Sequence, residues 1–348
     1  MTLQELDKIR LTPMVFVMGK GRSGTTMLQS ILNAHPNIVG PPESRIIVFM
    51  YAKYGKVTQW TEKVLKAFCN ELYDETRFFL LWNLNKEELL TDLISVKNSL
   101  TYDLIFKIIY CKMDPGKDIK LISDKNPIYY LFAPELNKIF PEAKYIHIVR
   151  DYRDNIVSHQ RVLPGRNAAQ LSYWWLKINM RLEAQKQNNP SNWIRIKYET
   201  LVTEPIKSVE EICRFIGMPF YESMVQEFSS KLAPAFYKNA DRKSFTKFHS
   251  NVYNPINTKP IDQWKKVMSA EQVEAIEGIS GEYGKQMYGY PITMPYKAPH
   301  RITMLKAKFT FALLTNTLRV IYRYHIIYIV GRAFARKFIH KENKITIK

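Results

Sequence analysis

The sequence is poor in cysteine and has no long apolar run. Its cysteines, Cys69, Cys111 and Cys213, lie far apart, which excludes a disulfide framework or a clustered zinc motif and favours a reducing compartment. Because apolar runs of about 18 residues do not occur, we expect no membrane-spanning helix. The first residues lack a basic segment followed by an apolar one, so we expect no signal peptide and a cytoplasmic location, most simply in a bacterium.

Acidic residues are also scarce relative to basic ones. The 348 residues contain 51 Lys and Arg but 32 Asp and Glu, a formal net charge of +19. Residues 301–348 hold eleven Lys or Arg and one acid, Glu342, which gives +10 and leaves +9 for residues 1–300. Such a chain can bind nucleic acid, an anionic membrane or an anionic substrate, and the sequence has no zinc-finger spacing or RNP motif that favours nucleic acid.

Apolar patterning predicts the fold class and the domain organisation. Hydrophobic residues make up 46% of the chain, which is enough for a large core. We expect one main domain over 1–300 and a basic amphipathic helical extension over 301–348. Short apolar runs predict four strands, at 14–18, 119–123, 144–149 and 193–197. With helical spacing between them, as in 168–188 and 205–217, they predict an α/β protein: a P-loop-like three-layer sandwich with a central, mostly parallel sheet flanked by helices.

A glycine-rich loop follows the first predicted strand. Gly19, Gly21 and Gly24 permit a tight turn, and the next residues continue at helical spacing. Free amides at a helix start and the helix dipole make such a loop an anion cradle. A Walker A loop carries Lys where Thr25 stands, and here the cation is Arg22 inside the loop, so the pattern favours a 5′-phosphate over a triphosphate. An ordinary turn without a ligand is the alternative.

Arg150 ends the third predicted strand, and Ser158 follows about two helical turns later. The planar guanidinium of Arg150 suits phosphate oxygens, and the Ser158 hydroxyl can return toward the strand end. The pair therefore predicts a second phosphate site. The alternative is a strand-end Arg150 in an ion pair with Asp151 or Asp154.

Two further residues have the chemistry for group transfer. Glu43 follows a Pro-Pro turn, from which a carboxylate can face the glycine loop and accept a proton, although it can equally cap the following helix. Lys125 follows the second predicted strand, at the sheet edge where ligands bind, and the alternative is a solvated surface lysine. His35, a rival base, is predicted to be a helix C-terminal cap.

Several of these stretches resemble one known family. Gly-Arg-Ser-Gly-Thr-Thr at 21–26 is similar to the 5′-phosphosulfate loop of sulfotransferases that use 3′-phosphoadenosine 5′-phosphosulfate (PAPS). Asn-Ala-His-Pro at 33–36 and Glu-Ser-Arg-Ile-Ile at 43–47 resemble the branch that contains tyrosylprotein sulfotransferases and bacterial relatives. The resemblance covers about 14–291. It departs at Gln263, where the tyrosylprotein branch has lysine, close to the aperiodic segment 229–262 that in relatives closes over the nucleotide.

The resemblance implies an enzyme and a role for each site residue. Glu43 is implied as the general base, with Arg22 and Lys125 stabilising the developing charge. The residues implied to bind the co-substrate PAPS are Gly21, Arg22, Ser23, Gly24, Thr25 and Thr26 at the 5′-phosphate, Arg150 and Ser158 at the 3′-phosphate, and Tyr198 at the nucleotide. Tyr198 can equally be a core residue. No metal is expected.

The acceptor and the extension leave alternatives open. Basic residues beside apolar ones in 301–348 suit an anionic membrane surface, at the inner face of the membrane, or a helix packed on the domain. A sterol or lipid alcohol is the first expectation for the acceptor, with a carbohydrate or a tyrosyl peptide as alternatives. A P-loop kinase and a non-catalytic membrane-associated nucleotide-binding protein are the rival functions.

Overall fold

A five-stranded parallel sheet forms the centre of the protein. The computed structural model describes residues 1–41, 43, 45–74, 84–229 and 255–324. The strands of the sheet are β1 (Met14–Met18), β2 (Ile38–Val39), β3 (Leu121–Lys125), β4 (Lys144–Val149) and β5 (Trp193–Lys197). Their spatial order is β2-β3-β1-β4-β5, and every neighbouring pair is parallel.

Helices connect and cover these strands. In the part of the chain that the structure describes they are α1 (Leu3–Leu11), α2 (Thr25–Asn33), α3 (Ile46–Tyr54), α4 (Glu62–Asp74), α5 (Lys86–Ser95), α6 (Tyr102–Cys111), α7 (Ala133–Ile139), α8 (Tyr152–Val162), α9 (Ala168–Asn188), α10 (Tyr198–Thr203), α11 (Pro205–Ile216), α12 (Ser223–Gln226), α13 (Trp264–Val267), α14 (Ala270–Tyr288) and α15 (Arg301–Tyr324). Capping residues mark the ends of several of these helices. Ser269 caps α14 in a capping box, and Gly217 ends α11 in the left-handed conformation.

The side chains of β1 show why the protein has three layers. Successive residues of a strand point to opposite faces of the sheet. Phe16 joins the core formed with helices α3 to α7 and α9, and Val15 and Val17 join the core formed with α2, α10 and α11. Since all five residues of β1 are buried, the strand is apolar throughout. The predicted three-layer α/β fold is confirmed.

The strand order places a ligand crevice beside β1. After β1 the chain passes to β2 and β3 on one side and then to β4 and β5 on the other. In open parallel sheets, ligands bind at the carboxyl ends of the strands where the order reverses in this way. The loop after β1 and the ends of β3 and β4 therefore share one edge.

Most predicted elements match the structure. The strands predicted at 14–18, 144–149 and 193–197 are β1, β4 and β5, and the predicted helix at 168–188 is α9. The second strand is two residues later than predicted, because the polar side chains of Asp124 and Lys125 are buried in β3. Strand β2 was not predicted, since two residues are too short for a periodic pattern. Most of 229–262, and 325–348, lie outside the described residues.

Candidate active site

The glycine loop between β1 and α2 forms the floor of the site. Gly24 is the N-cap of α2, with φ of 92°, a conformation that favours glycine. A Cβ atom on Gly24 would lie 2.6 Å from the Tyr198 ring, and one on Gly19 would lie 2.5 Å from the carbonyl oxygen of Ile148. Glycine at both positions therefore lets the loop pack closely against β4 and α10. The first amides of α2 remain at the crevice, where they can meet an anion.

Asn155 on α8 fixes the shape of this loop. Its side-chain amide donates hydrogen bonds to the carbonyl oxygen of Gly21 and to the Ser23 hydroxyl, both at 3.0 Å. Ser23 itself is buried, so it supports the loop and does not line the cavity. Asn155 could not be predicted from the sequence, because an asparagine on a helix carries no signal until its partner loop is known.

A cavity above the loop brings together most residues predicted from the sequence. Its lining includes Gly21, Arg22, Gly24, Thr25, Thr26, Met27, Glu43, Pro127, Arg150, Ser158, His159, Val162, Leu163 and Tyr198. Ser23 and Lys125 are the predicted site residues outside this lining. Its lining combines the cations Arg22 and Arg150 with apolar side chains, so it can hold an anionic group beside a less polar one.

Arg150 and Tyr198 form the wall at the end of β4. The Arg150 guanidinium lies 4.5 Å from the centre of the Tyr198 ring, an arrangement in which the cation faces the aromatic ring. It donates to the carbonyl oxygens of Arg22 at 3.2 Å and of Pro260 at 2.7 Å. The alternative for Arg150, an ion pair with Asp151 or Asp154, does not form, and Asp151 pairs with Arg153 instead. Tyr198 is both a core residue and part of the cavity wall.

Arg22 lies between the two predicted phosphate positions. Its φ is 74°, and its Nε donates to the Ser158 hydroxyl at 3.3 Å. Burial, together with the nearby positive charge of Arg150, lowers the pKa of the Arg22 guanidinium. An anion at this point would therefore be stabilised by two guanidinium groups.

A second cavity opens on the far side of Arg150 and Ser158. Its lining also contains the cations Arg161 and Lys259, and one acid, Asp154. Asp154 accepts hydrogen bonds from the backbone amides of residues 262 and 264, at 2.8 and 3.0 Å, so it holds the 262–264 turn against α8. The cavity is therefore a second cationic pocket that shares one wall with the first.

Glu43, which lines the first cavity, forms an ion pair with Lys125. The Lys125 ammonium donates to Glu43 Oε2 and, at 3.3 Å, to the Thr26 hydroxyl. The Glu43 side chain is 41% exposed whereas that of Lys125 is 4% exposed. The carboxylate therefore faces the cavity while the cation lies beneath it, between Glu43 and the start of α2.

Two ionisable residues near the loop carry no signal in the sequence. Lys20 is buried, and burial together with the charge of Arg22 lowers its pKa to about 7. His159 lines the first cavity, and burial together with the charge of Lys20 lowers its pKa to about 4, so the imidazole is neutral at neutral pH. Burial is the larger cause of both shifts, and the cations crowded at the glycine loop add to it.

His35 lies outside this group, and the prediction that it caps a helix C-terminus was wrong. Its Nδ1 accepts from the amide of Asn37 at 2.9 Å, and its Nε2 lies 3.0 Å from the carbonyl oxygen of Pro219. The ring is buried and joins the turn after α2 to the segment after α11. A structural role, as predicted, fits these contacts, although through the turn and not through the helix carbonyls.

The described residues provide neither a metal site nor a membrane-spanning helix. No group of three His, Cys, Asp or Glu side chains among them could hold a metal ion. Of the helices described, none combines the length and apolarity that crossing a bilayer requires.

Comparison with known proteins identifies relatives of this chain. A profile described as the sulfotransferase family matches residues 13–222. A putative protein-tyrosine sulfotransferase of Caenorhabditis briggsae is 23% identical over 274 residues, which are 77% of this chain and 86% of the relative. The protein-tyrosine sulfotransferase of Drosophila melanogaster is 23% identical over 78% of this chain, but the match spans 50% of the fly protein. Protein-tyrosine sulfotransferase 1 of Homo sapiens is 21% identical, over 72% of this chain and 63% of the human protein.

Solved structures agree on the fold. The sulfotransferase domain of the Synechococcus olefin synthase superposes with a TM-score of 0.52 at 20% identity, over 86% of this chain and 94% of that domain. The sulfotransferase domain of the curacin biosynthetic pathway gives a TM-score of 0.53 at 20% identity, over 83% of this chain and 99% of that domain. The arrangement of strands and helices described above is thus shared with sulfotransferase domains.

Proposed function

This chain belongs to the sulfotransferase family, and we propose that it transfers a sulfuryl group from PAPS to an acceptor hydroxyl. One observation carries the proposal: two cationic pockets share Arg150 and Ser158, and Glu43 lines the first of them. A donor with phosphate at both its 5′ and 3′ positions needs two such pockets. ATP needs one pocket and a Walker lysine, which the loop lacks at Thr25.

Each end of the donor has a set of candidate ligands. At the 5′ end, the amides that open α2 and the hydroxyls of Thr25 and Thr26 can meet phosphate oxygens. At the 3′ end, Arg150 and Ser158 are supplemented by Arg161 and Lys259 from the second pocket. The Tyr198 ring packs against the Arg150 guanidinium and lines the first cavity, where it can contact the nucleotide. These assignments follow from the chemistry of the side chains and their positions around the loop.

The proposed transfer needs no covalent enzyme intermediate. The acceptor oxygen bonds to sulfur, the bond between sulfur and the bridging phosphate oxygen breaks, and adenosine 3′,5′-bisphosphate leaves. Glu43 takes the acceptor proton. Arg22 and Lys125 stabilise the negative charge that develops on the bridging and sulfuryl oxygens, so the work is mainly positioning and electrostatic stabilisation.

We propose a tyrosyl hydroxyl of a peptide as the first candidate acceptor. The relatives named above are protein-tyrosine sulfotransferases, and the lining of the first cavity includes the apolar side chains Pro127, Val162 and Leu163, which suit an aromatic ring. A phenol, with a pKa of about 10, also loses its proton to a carboxylate more readily than an alkyl alcohol does. The sterol or lipid alcohol expected from the sequence is the second candidate, and the exposed apolar face of α15, described below, favours it.

Two measurements test the donor and the acceptor separately. Isothermal titration should show that adenosine 3′,5′-bisphosphate binds at least about tenfold tighter than ATP, because the second phosphate pocket is used by the bisphosphate alone. Equal or tighter binding of ATP would assign the loop to a kinase. Transfer of labelled sulfate from PAPS should then be measured over tyrosyl peptides, sterols, lipids and glycans, and a tyrosyl peptide is the expected acceptor. Transfer to a lipid alcohol alone would replace it with the second candidate.

A further inference from the structure

Helix α15 has one face packed on the domain and one face exposed. On the packed face, Phe311 contacts the rings of Tyr173 and Trp174 of α9, and Tyr322 contacts the rings of Phe49 and Phe132. Thus the first half of the helix lies against α9 and the second half reaches α3. The described part of the predicted extension, 301–324, is therefore held in a fixed orientation.

The exposed face of α15 is mostly apolar, with the exposed Asn316 as a polar residue between Leu313 and Val320. Phe309 is 67% exposed and Leu305 is 65% exposed. The exposed large apolar side chains that share this face are Ile302, Leu305, Phe309, Leu313 and Val320. Their spacing of three, four, four and seven residues places them in one stripe, because residues three, four and seven apart lie on one side of a helix. Soluble proteins rarely expose this many large apolar side chains on one face without a binding function.

Basic side chains border the stripe on both sides. At 100° per residue, Arg301, Lys308 and Arg319 lie along one border, and Lys306 lies along the other. All four residues are exposed. Residues 301–324 contain no Asp or Glu, so no acid of the helix neutralises these cations. An apolar stripe with a cationic border on each side is the pattern of a helix that lies in the plane of a membrane interface.

The charge selects the membrane over a second copy of the chain. Two copies pairing through this stripe would bring the same cationic borders together, and like charges at close range repel. An anionic lipid surface instead attracts every bordering cation while the stripe enters the boundary between headgroups and acyl chains. We therefore propose that the exposed face of α15 docks the protein on an anionic membrane surface. This inference concerns α15 alone and does not depend on the proposed reaction.

Docking through α15 would also orient the candidate active site. Tyr322, on the packed face, accepts a hydrogen bond from Arg45 at 3.1 Å, and Arg45 is two residues from Glu43. The membrane-facing helix is thus in direct contact with the segment that carries the proposed base.

Vesicle sedimentation of the full chain tests the docking surface. The wild type should sediment with vesicles of phosphatidylcholine and phosphatidylglycerol and remain in the supernatant with phosphatidylcholine alone. A double variant, Leu305→Glu with Phe309→Glu, should bind the anionic vesicles at least about tenfold more weakly, because it removes two apolar contacts and adds two negative charges. Ile206→Glu is the matched control, since Ile206 is an exposed apolar residue on α11, and it should bind like the wild type.

Three outcomes would overturn the proposal. Equal sedimentation of the double variant and the wild type would assign the binding to residues other than the stripe, since the basic residues of 325–348 are present in both. Failure of the wild type to sediment with anionic vesicles would exclude docking. A dimer in solution that Leu313→Glu separates, without vesicle binding by the wild type, would assign the stripe to a second copy. Thermal melting of each variant confirms that folding is unchanged.

Discussion

Glu43 and Lys125 form an ion pair at the first cavity, although 82 residues separate them in the sequence. The lysine is buried and the carboxylate is partly exposed. The carboxylate can therefore take a proton from a molecule in the cavity, while the positive charge of the lysine lies beneath it. The same lysine donates to Thr26 at the start of α2. Through these two hydrogen bonds, Lys125 connects the proposed base to the loop proposed to hold the 5′-phosphate.

Replacing the buried lysine should slow the chemical step. Lys125→Met removes the charge proposed to stabilise the transferring group and leaves Glu43 without this partner, so kcat should fall by about 10²–10³. Lys97→Met is the matched control, because Lys97 forms an ion pair with Glu62 at the surface, at 3.2 Å. Steady-state kinetics with PAPS measure both variants. An unchanged kcat in Lys125→Met would remove Lys125 from the proposed mechanism.

Arg150 should determine the preference for a 3′-phosphate. Arg150→Lys keeps the positive charge but loses the planar fork, so adenosine 3′,5′-bisphosphate should bind about 10- to 100-fold more weakly. Binding of AMP, which has no 3′-phosphate, should change little. Titration calorimetry with both nucleotides separates the two cases. An equal loss for AMP would mean that the substitution disturbs the wall formed with Tyr198 and not a phosphate contact.

The loop conformation should depend on the absence of a side chain at Gly24. Gly24→Ala places a methyl group 2.6 Å from the Tyr198 ring at a φ of 92°. We expect the free energy of unfolding to fall by about 1–3 kcal/mol and donor binding to weaken. Gly116→Ala is the control, because a Cβ there meets nothing within 4 Å and its φ is outside the left-handed region. Urea unfolding of both variants provides the comparison, and equal stability would contradict the close packing at Gly24.

Binding of an anion should be coupled to protonation of Lys20. The pKa of Lys20 is lowered from 10.5 to about 7 by burial and by the charge of Arg22. A phosphate beside Arg22 offsets that charge and raises the pKa of Lys20, so at about pH 8 the protein should take up a proton when adenosine 3′,5′-bisphosphate binds. Calorimetry in buffers of different ionisation enthalpy measures this uptake. It should disappear in Lys20→Met and persist in Lys66→Met, a control at an exposed lysine on α4.

The same shift predicts how Lys20→Met affects stability. Between about pH 7 and 10.5 the unfolded chain binds the Lys20 proton more tightly than the folded protein does, so this group makes stability rise with pH across that window. Below pH 7 both states hold the proton and the cost of burying the charge is fully present. Lys20→Met should therefore stabilise the protein at pH 6, by roughly 2–4 kcal/mol, and the gain should shrink toward pH 10. A gain that does not change with pH would contradict the shifted pKa.

The elements that follow local patterns could be predicted from the sequence. Strand β1 is apolar on both faces and ends at a glycine loop, and the pattern fixed its bounds at Met14–Met18. Strand β3 could not be placed as well, because Asp124 is polar and its burial depends on hydroxyl groups of Tyr110 and Tyr129 that donate to it at 2.9 and 2.6 Å. Such partners become known only when the chain has folded.

In the candidate site too, residues in local motifs could be predicted from the sequence, and contacts between distant segments could not. The glycine loop and the Arg150 and Ser158 pair are local motifs, and the structure places both around one cavity. The ion pair between Glu43 and Lys125, and the support from Asn155, join distant segments and needed the structure. The roles of these residues, the cytoplasmic location and the bacterial source stay predictions.

The central claim is that Glu43 removes the acceptor proton while the cationic pockets hold the donor. Glu43→Gln keeps the size of the side chain and removes the base, so it tests this claim most directly. Adenosine 3′,5′-bisphosphate should bind the variant as it binds the wild type, and kcat for sulfuryl transfer from PAPS should fall by about 10²–10⁴. Retained binding with wild-type turnover would show that Glu43 is not the base and would contradict the account.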